Sequence, residues 1–218
     1  DRAKIRKLKP MSEINSRYYH FKFRKDADYY NDLYQKRYNE GYGDRIYDSE
    51  FEFATETNSA EVIFSGTPLV GYSGEDKVYS TILKRTGDTT VIEEKTDSKI
   101  RILQAKKVTG VTSWDILDGA SVLGSYTSYG YAGHLNDPDN PSSDLNFGLL
   151  KELFFSLITG DLSVNQFNVY WSSYMAEITD KESRLFIGTA KLAYKDIYNL
   201  DFSKLVYVDG VLYRLNKI

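Results

Sequence analysis

Residues 163–218 read SVNQFNVYWSSYMAEITDKESRLFIGTAKLAYKDIYNLDFSKLVYVDGVLYRLNKI, a run in which each segment carries its own start and stop signal. At 100° per residue, Val164, Phe167, Trp171, Tyr174, Met175 and Ile178 share one face, with Asn168, Ser172, Ser173 and Glu177 opposite. That spacing predicts one long amphipathic helix over Val164–Ile178, its aromatic face reading as core rather than as a cofactor box. Ser163 stands at the N-cap position with Gln166 three residues on, the pattern of a capping box. Arg184–Leu192 follows as a strand with β-formers on both faces, and Tyr194–Leu200 as a turn or single helical turn. The segment KLVYV-DG-VLYRL is a hairpin signal, because Asp209-Gly210 supplies the positive φ angles of a type I′ turn. That turn sets Val208 opposite Val211, Tyr207 opposite Leu212 and Val206 opposite Tyr213. Turn chemistry thereby accounts for Asp209 without a site.

Upstream, RYYHFKFR at Arg17–Arg24 alternates. Tyr18, His20, Lys22 and Arg24 lie on one face of a strand and Tyr19, Phe21 and Phe23 on the other, which reads His20 as exposed. Asp26 can cap a second helix with Tyr30, Leu33, Tyr34, Arg37 and Tyr38 at helical spacing, stopped by Gly41 and Gly43. Arg45–Ala54, Glu61–Ser65, Val78–Arg85 and Lys99–Val108 read as strands, and Gly87-Asp88 as a hairpin turn into Thr89–Glu93. From Thr112 the periodicity fades, and SYTSYGYAGHLNDPDNPSSD reads as a long irregular loop of the kind that makes contacts or moves. Leu149–Ile158 returns as a strand or short helix. Residues 1–10 carry Arg2, Lys4, Arg6, Lys7 and Lys9 and read as a solvated or partner-docking arm.

The expected organisation is a basic arm at 1–16, a β-rich region with one helix at 17–111, an irregular Gly/Tyr-rich segment at 112–162 and a helix–strand–hairpin module at 163–218. The fold class is α+β with mostly antiparallel sheet, and the long helix is expected to pack on the sheet containing the Asp209-Gly210 hairpin. The chain starts at Asp1 and stops on an apparent strand, which reads as part of something longer.

Composition excludes several classes. With 28 basic and 31 acidic residues the formal net charge is −3, which gives no support to nucleic-acid or anionic-membrane binding. No apolar run is long enough to insert in a bilayer. Cysteine is absent, so disulfides, thiolate nucleophiles and Cys-based zinc sites are excluded together. A paired-histidine metal site would need both His20 and His134. The 19 Tyr and 11 Phe favour strands and large contact surfaces.

Four constellations bear on chemistry. Asp137, Asp139, Asn140 and Asp144 alternate as calcium ligands do, but the turn glycine and terminal Glu of such a loop are missing and Pro138 and Pro141 interrupt it. His134 near Asp137 or Asp139 resembles a base oriented by a carboxylate, without a nucleophile elbow beside it. Tyr126, Tyr129 and Tyr131 suit a sugar-stacking platform or packing against a neighbouring subunit. Glu93-Glu94 and Glu50/Glu52 are strand-borne carboxylates, and a glycosidase would need two such groups to converge in a cleft. No phosphate-binding pattern is present. The expectation is therefore no enzyme, with no catalytic residue, cofactor or metal.

The closing segment resembles a recurrent module in tail proteins of tailed phages and prophages of Bacteroidetes-type hosts. The resemblance rests on Trp171, Tyr174, Glu177, Asp180, Ser183, Arg184 and Leu185, then Leu192, Asp196, Ile197, Leu200, Phe202 and Ser203. It ends on Tyr207, Asp209, Gly210, Tyr213, Arg214, Asn216, Lys217 and Ile218. Fainter likeness extends over Tyr18–Tyr38 and from Leu117-Asp118-Gly119 to Tyr129–His134. It implies a virion structural protein, similar to tail-tip, baseplate or hub components, with a sandwich- or barrel-like tail-tube type domain. Such a protein is made in the bacterial cytoplasm and assembles as a homo-oligomeric ring with other virion proteins. Two other classes stay open: a carbohydrate-binding or host-receptor β-sandwich contacting surface glycan through Tyr129 and Tyr131, and a glycan-cleaving enzyme.

Overall fold

A computed structural model of the protein describes residues 4–10, 16–71, 78–80, 82, 99–151 and 163–218. The expected Gly87-Asp88 turn, Thr89–Glu93 with Glu93-Glu94, and most of Leu149–Ile158 lie outside them. In chain order the elements are β1 (Lys4–Pro10), β2 (Ser16–Arg24), α1 (Tyr29–Tyr38), β3 (Arg45–Asp48), β4 (Glu56–Ser65), β5 (Leu69–Gly71), β6 (Val78–Ser80), β7 (Gln104–Asp118) and β8 (Ser121–Gly133). They continue with α2 (Gln166–Tyr170), α3 (Ser172–Thr179), β9 (Arg184–Thr189), α4 (Tyr194–Tyr198), β10 (Leu205–Val208) and β11 (Val211–Arg214). The fold is β-rich α+β, and five of the six described strand pairs are antiparallel. Two units divide the chain, Ser16–Met175 and Asp1–Asn15 with Ala176–Ile218.

In the larger unit RYYHFKFR forms the predicted strand, with its faces less sharply divided than the alternation implies, since Tyr18, His20, Lys22 and Phe23 are all half-buried. Tyr19 and Phe21 are buried, and β2 becomes the middle strand of a sheet ordered β3-β2-β4. The β2–β4 pair is parallel, and its connection carries α1 and β3, long enough for the crossover that parallel pairing requires. α1 is capped by Asp28, whose side chain accepts from the Asn31 N–H at 3.3 Å, rather than by Asp26. It ends at Asn39, in the left-handed region with φ 56°, before either Gly41 or Gly43 is reached. The strand expected over Arg45–Ala54 stops at Asp48, leaving Glu50 and Glu52 exposed in a connection rather than on a strand.

Tyrosine builds the core. Tyr30, Tyr34, Tyr42, Tyr129 and Tyr131 pack with Leu69, Val70, Val108, Leu135 and Leu150. A buried phenol gains from a partner for its hydroxyl, and for three of these tyrosines main-chain groups supply it. Tyr34 accepts from the Lys151 N–H at 3.1 Å, Tyr42 from the Leu69 N–H at 3.3 Å, and Tyr129 bonds both N–H and C=O of Val78 at 3.2 Å. Each hydroxyl thus fixes a neighbouring strand or loop to the core.

The segment expected to be irregular from Thr112 is strand as far as Gly133, its first residues ending β7 and Ser121–Gly133 forming β8 of a long antiparallel hairpin, whereas residues 134–148 lie in no helix or named strand, as expected. Its two-residue turn is Gly119-Ala120, with Gly119 at φ 59°, the glycine-first arrangement that hairpins favour. The register slips between Thr109 and Trp114, where Gly110 takes φ 78° and opens a bulge.

The single helix expected over Val164–Ile178 is two short ones that meet at Trp171. Asn165, not Ser163, caps the first, its side chain accepting from the Asn168 N–H at 2.8 Å. Ser172 Oγ donates back to the Asn168 carbonyl at 2.7 Å, a bond that competes with the helical ladder at the break. Phe167, Met175 and Ile178 point inward as the periodicity requires, whereas Val164 and Tyr174 are exposed. The sheet that receives the aromatic face is β2–β3, which corrects the expectation of the Asp209-Gly210 hairpin sheet. Phe21 lies 5.1 Å from both Phe167 and Trp171, and Tyr47 stacks at 5.7 Å on Phe167. The alternating aromatics of β2 offer that face matching rings.

In the smaller unit the basic segment at the start of the chain is a strand, β1, paired antiparallel with β9. β10 and β11 form the hairpin with the register read from the sequence, and Asp209 and Gly210 take φ 47° and 90°. Arg214 grips Glu177 through both carboxylate oxygens, with 3.0 Å from Nε to Oε1 and 2.8 Å from Nη2 to Oε2, and Phe186 packs on Tyr213 at 5.1 Å. Ile178 is the one buried hydrophobic among residues 176–218.

Candidate functional site

The residues that the sequence singles out for chemistry end up apart. His134 is completely buried, between the rings of Phe23 at 4.9 Å and Tyr42 at 5.7 Å. Its Nε2 accepts from the Thr67 N–H at 3.2 Å, which leaves the proton on Nδ1, donated to Asn146 Oδ1 at 2.7 Å. Asn146 Nδ2 in turn donates to Asp144 Oδ1 at 2.6 Å. Gly43 makes this approach possible: it sits at φ 76°, and a Cβ there would collide with the Asn146 side chain. Its carbonyl accepts from the N–H groups of Phe147 and Gly148 at 2.9 and 3.2 Å. Both nitrogens of His134 are committed to holding loops together, so it cannot serve as a base toward a substrate.

Burial, with a smaller push from Arg101, lowers the His134 pKa from 6.5 to about 4, against the opposing hydrogen bond to Asn146. The unfolded chain therefore binds a proton between about pH 4 and 6.5 that the folded chain refuses. Stability should be complete above pH 6.5 and fall by about 3 kcal/mol as pH drops to 4, from this group alone. Urea unfolding across that range should show the slope, and His134→Gln should lose it; a variant with an unchanged slope would refute the assignment.

Asp137, Asp139, Asn140 and Asp144 do not converge. Asp137 pairs with Lys106 and accepts from the Asp139 N–H at 3.1 Å, while Asp144 serves Asn146. The hydrogen bond from Lys106 holds the Asp137 carboxyl below the usual range. Among the described residues no group of three or more acidic or histidine side chains is placed to hold a metal. Tyr129 and Tyr131 are core residues, which removes them from any sugar platform; of the three tyrosines only Tyr126 is exposed. His20, read as exposed, is half-buried with Nε2 2.9 Å from Asp44 Oδ2. Burial raises the Asp44 pKa despite that bond and the N–H groups of Phe23 and Gly41.

A buried ion cluster gave no sequence signal beyond its charges. Arg101 Nη2 lies 2.5 Å from Asp26 Oδ2 and 3.0 Å from Asp28 Oδ2, with all three side chains at most 8% exposed. Arg101 Nη1 donates to the Gly66 carbonyl and to Thr67 Oγ1, and Asn31 Nδ2 bridges Asp28 to Gly66 at 2.6 and 2.8 Å. The cluster ties the start of α1 to the segment after β4 and to the approach to β7. Both terminal nitrogens of Arg101 are bonded within the cluster while its buried Nε has no partner, and the ties between separate segments are the arrangement of a structural clasp.

Surface features carry more functional information. The outer part of the β7–β8 hairpin exposes Ile116, Leu117, Val122 and Leu123, and the 184–218 segment exposes Tyr194, Ile197, Tyr198, Phe202, Leu205, Tyr207 and Leu212. Exposed apolar side chains grouped on short elements in this way are a feature of interaction sites. No helix among the described residues is long and apolar enough to cross a membrane. Compared with family models, curated proteins and solved structures, the chain has no match.

Proposed function

We propose that this chain is a non-enzymatic structural component of a phage tail, a tail-tip, baseplate or hub protein that forms a ring with other virion proteins. The observation that carries the reading is the build of the segment bearing the resemblance. Its helical stretch, strand, helical turn and hairpin follow in the implied order, and Tyr194, Ile197, Tyr198, Phe202, Leu205, Tyr207 and Leu212 of the turn and hairpin are exposed. Tyr194 is 85% exposed, Tyr198 80% and Tyr207 69%, a disposition suited to burial between subunits. A sandwich- or barrel-like tail-tube domain and a virion location belong to the same proposal. The glycan-recognition alternative keeps only Tyr126 of its three tyrosines.

The test is mass spectrometry on purified tails of a phage encoding the chain. It should be present in the tail fraction in several copies per particle, at fixed stoichiometry to the other tail proteins. Its absence from intact tails would overturn the proposal.

A further inference from the structure

Two surfaces of the chain are apolar, solvent-facing and opposite in charge. The first is the outer hairpin, residues 110–127. Trp114 pairs with Tyr126, Ile116 with Gly124 and Leu117 with Val122, and no third strand flanks the pair among the described residues. Ile116, Leu117, Val122 and Leu123 are 41 to 67% exposed. A two-stranded ribbon with bare apolar residues is marginal in water and gains from a surface to lie on. Its ionisable residues are Asp115 and Asp118, with no Lys, Arg or His between 110 and 127.

The second surface is the 184–218 segment. On β10–β11, Leu205, Tyr207 and Leu212 share one face, and all three are more than half exposed. Tyr194, Ile197, Tyr198 and Phe202 of the same segment are also more than half exposed. This segment carries six basic residues (Arg184, Lys191, Lys195, Lys204, Arg214, Lys217) against three acidic ones (Asp196, Asp201, Asp209); Arg184, Lys204 and Arg214 are paired with Glu182, Asp201 and Glu177, so Lys191, Lys195 and Lys217 carry its attraction for an acidic partner.

We infer that the 110–127 hairpin of one copy docks on the 184–218 surface of a second copy. Charge selects the occupant: the acidic hairpin would repel another hairpin, and the basic segment would repel another basic segment, but each attracts the other. The chain supplies both halves, and each leaves large apolar side chains bare. Such a contact is head-to-tail, so every copy donates one hairpin and receives one, and closure gives a ring. The inference deepens the assembly reading and rests on it for that closure.

The experiment uses the full chain in sedimentation velocity over a concentration series, with near-UV circular dichroism to check folding. One variant is Leu117→Asp with Leu123→Asp, and the other Tyr207→Asp with Leu212→Asp. The unmodified chain should self-associate, and each variant alone should do so on the order of thirtyfold more weakly or less. An equimolar mixture of the two variants should form heterodimers and nothing larger, because one intact hairpin and one intact receiving surface remain. A chain that is monomeric at every concentration overturns the inference and the ring together. Self-association that survives both variants overturns the inference alone, as does a mixture that stays monomeric. Hairpin-dependent association by a protein missing from tails supports the inference while removing the tail assignment.

Discussion

Replacing Arg101 by methionine is expected to cost about 3–5 kcal/mol, because it strands buried carboxylates without a counter-ion. Methionine matches the volume of the arginine stem, so lost packing contributes little. The charge does. Arg101 reaches Asp26 and Asp28 from a side chain only 5% exposed, and it also caps the Gly66 carbonyl. Burial alone would raise the Asp26 pKa, but the N–H groups of Lys99 and Ala27 and the charge of Arg101 outweigh it and hold it below 3.8. A depressed carboxylate stabilises the folded chain above its unfolded pKa, and that stability is lost as pH falls through the folded value. Without the guanidinium Asp26 loses part of this support. The deficit of Arg101→Met should therefore shrink on acidification, whereas the parent chain weakens. Adding Asp26→Asn and Asp28→Asn to Arg101→Met should recover much of the loss, since no buried charge then remains in the cluster. Urea unfolding followed by fluorescence suits the test, because both tryptophans, Trp114 and Trp171, lie in the Ser16–Met175 unit. A loss below about 1 kcal/mol, the level of an exposed pair, would mean that the cluster is open to water.

How far the sequence reaches depends on whether the deciding contact is local. The Asp209-Gly210 hairpin is local in every respect, and its register is readable pair by pair. The equivalent turn at Gly119-Ala120 follows Asp118 with the same kind of glycine signal. Its strands, however, are diluted with Gly110, Gly124, Gly130, serine and threonine, so alternation is weak and pairing partner supplies what propensity does not. The helix break at Trp171 turns on one Ser172 hydroxyl choosing a carbonyl, a competition that a helical wheel does not represent. His134 sits in a glycine-rich, polar stretch that reads as surface. It is buried because Thr67 and Gly43 come from distant parts of the chain to meet it and the nearby Asn146, and nothing in its neighbours' identities announces that. The same holds for His20 and Asp44. The abundance of tyrosine was legible, but its location was not. A tyrosine can lie at a surface or in a core with equal ease when its hydroxyl finds a partner, and the partners of Tyr34, Tyr42 and Tyr129 are main-chain groups contributed by other elements.

The tyrosine core makes the sharpest packing prediction. Tyr34 is fully buried, with the Tyr38 and Tyr42 rings at 4.8 and 5.1 Å and its hydroxyl accepting from the Lys151 N–H at 3.1 Å. Tyr34→Ala should cost about 3–5 kcal/mol, the range for removing a large aromatic from a packed interior. Tyr34→Phe keeps the ring and strands one N–H, so its cost should be about 1–2 kcal/mol. The gap between them measures how much of the site is packing and how much is the tie to Lys151. Equal losses would mean that the hydroxyl, not the ring, holds the core; a mild Tyr34→Ala would mean that the surrounding rings collapse into the space. Alkali provides an independent reading. Burial raises the pKa of Tyr34, Tyr42 and Tyr131 above 10.0, so the folded chain keeps protons that the unfolded chain gives up. Stability should then fall as pH rises past about 10, with the opposite sign to the His134 effect in acid. Tyr34→Phe removes one of these groups, so its destabilisation relative to the parent should narrow in alkali. A deficit that stayed constant from pH 8 to 11 would show that this hydroxyl titrates alike in both states, and hence is not buried.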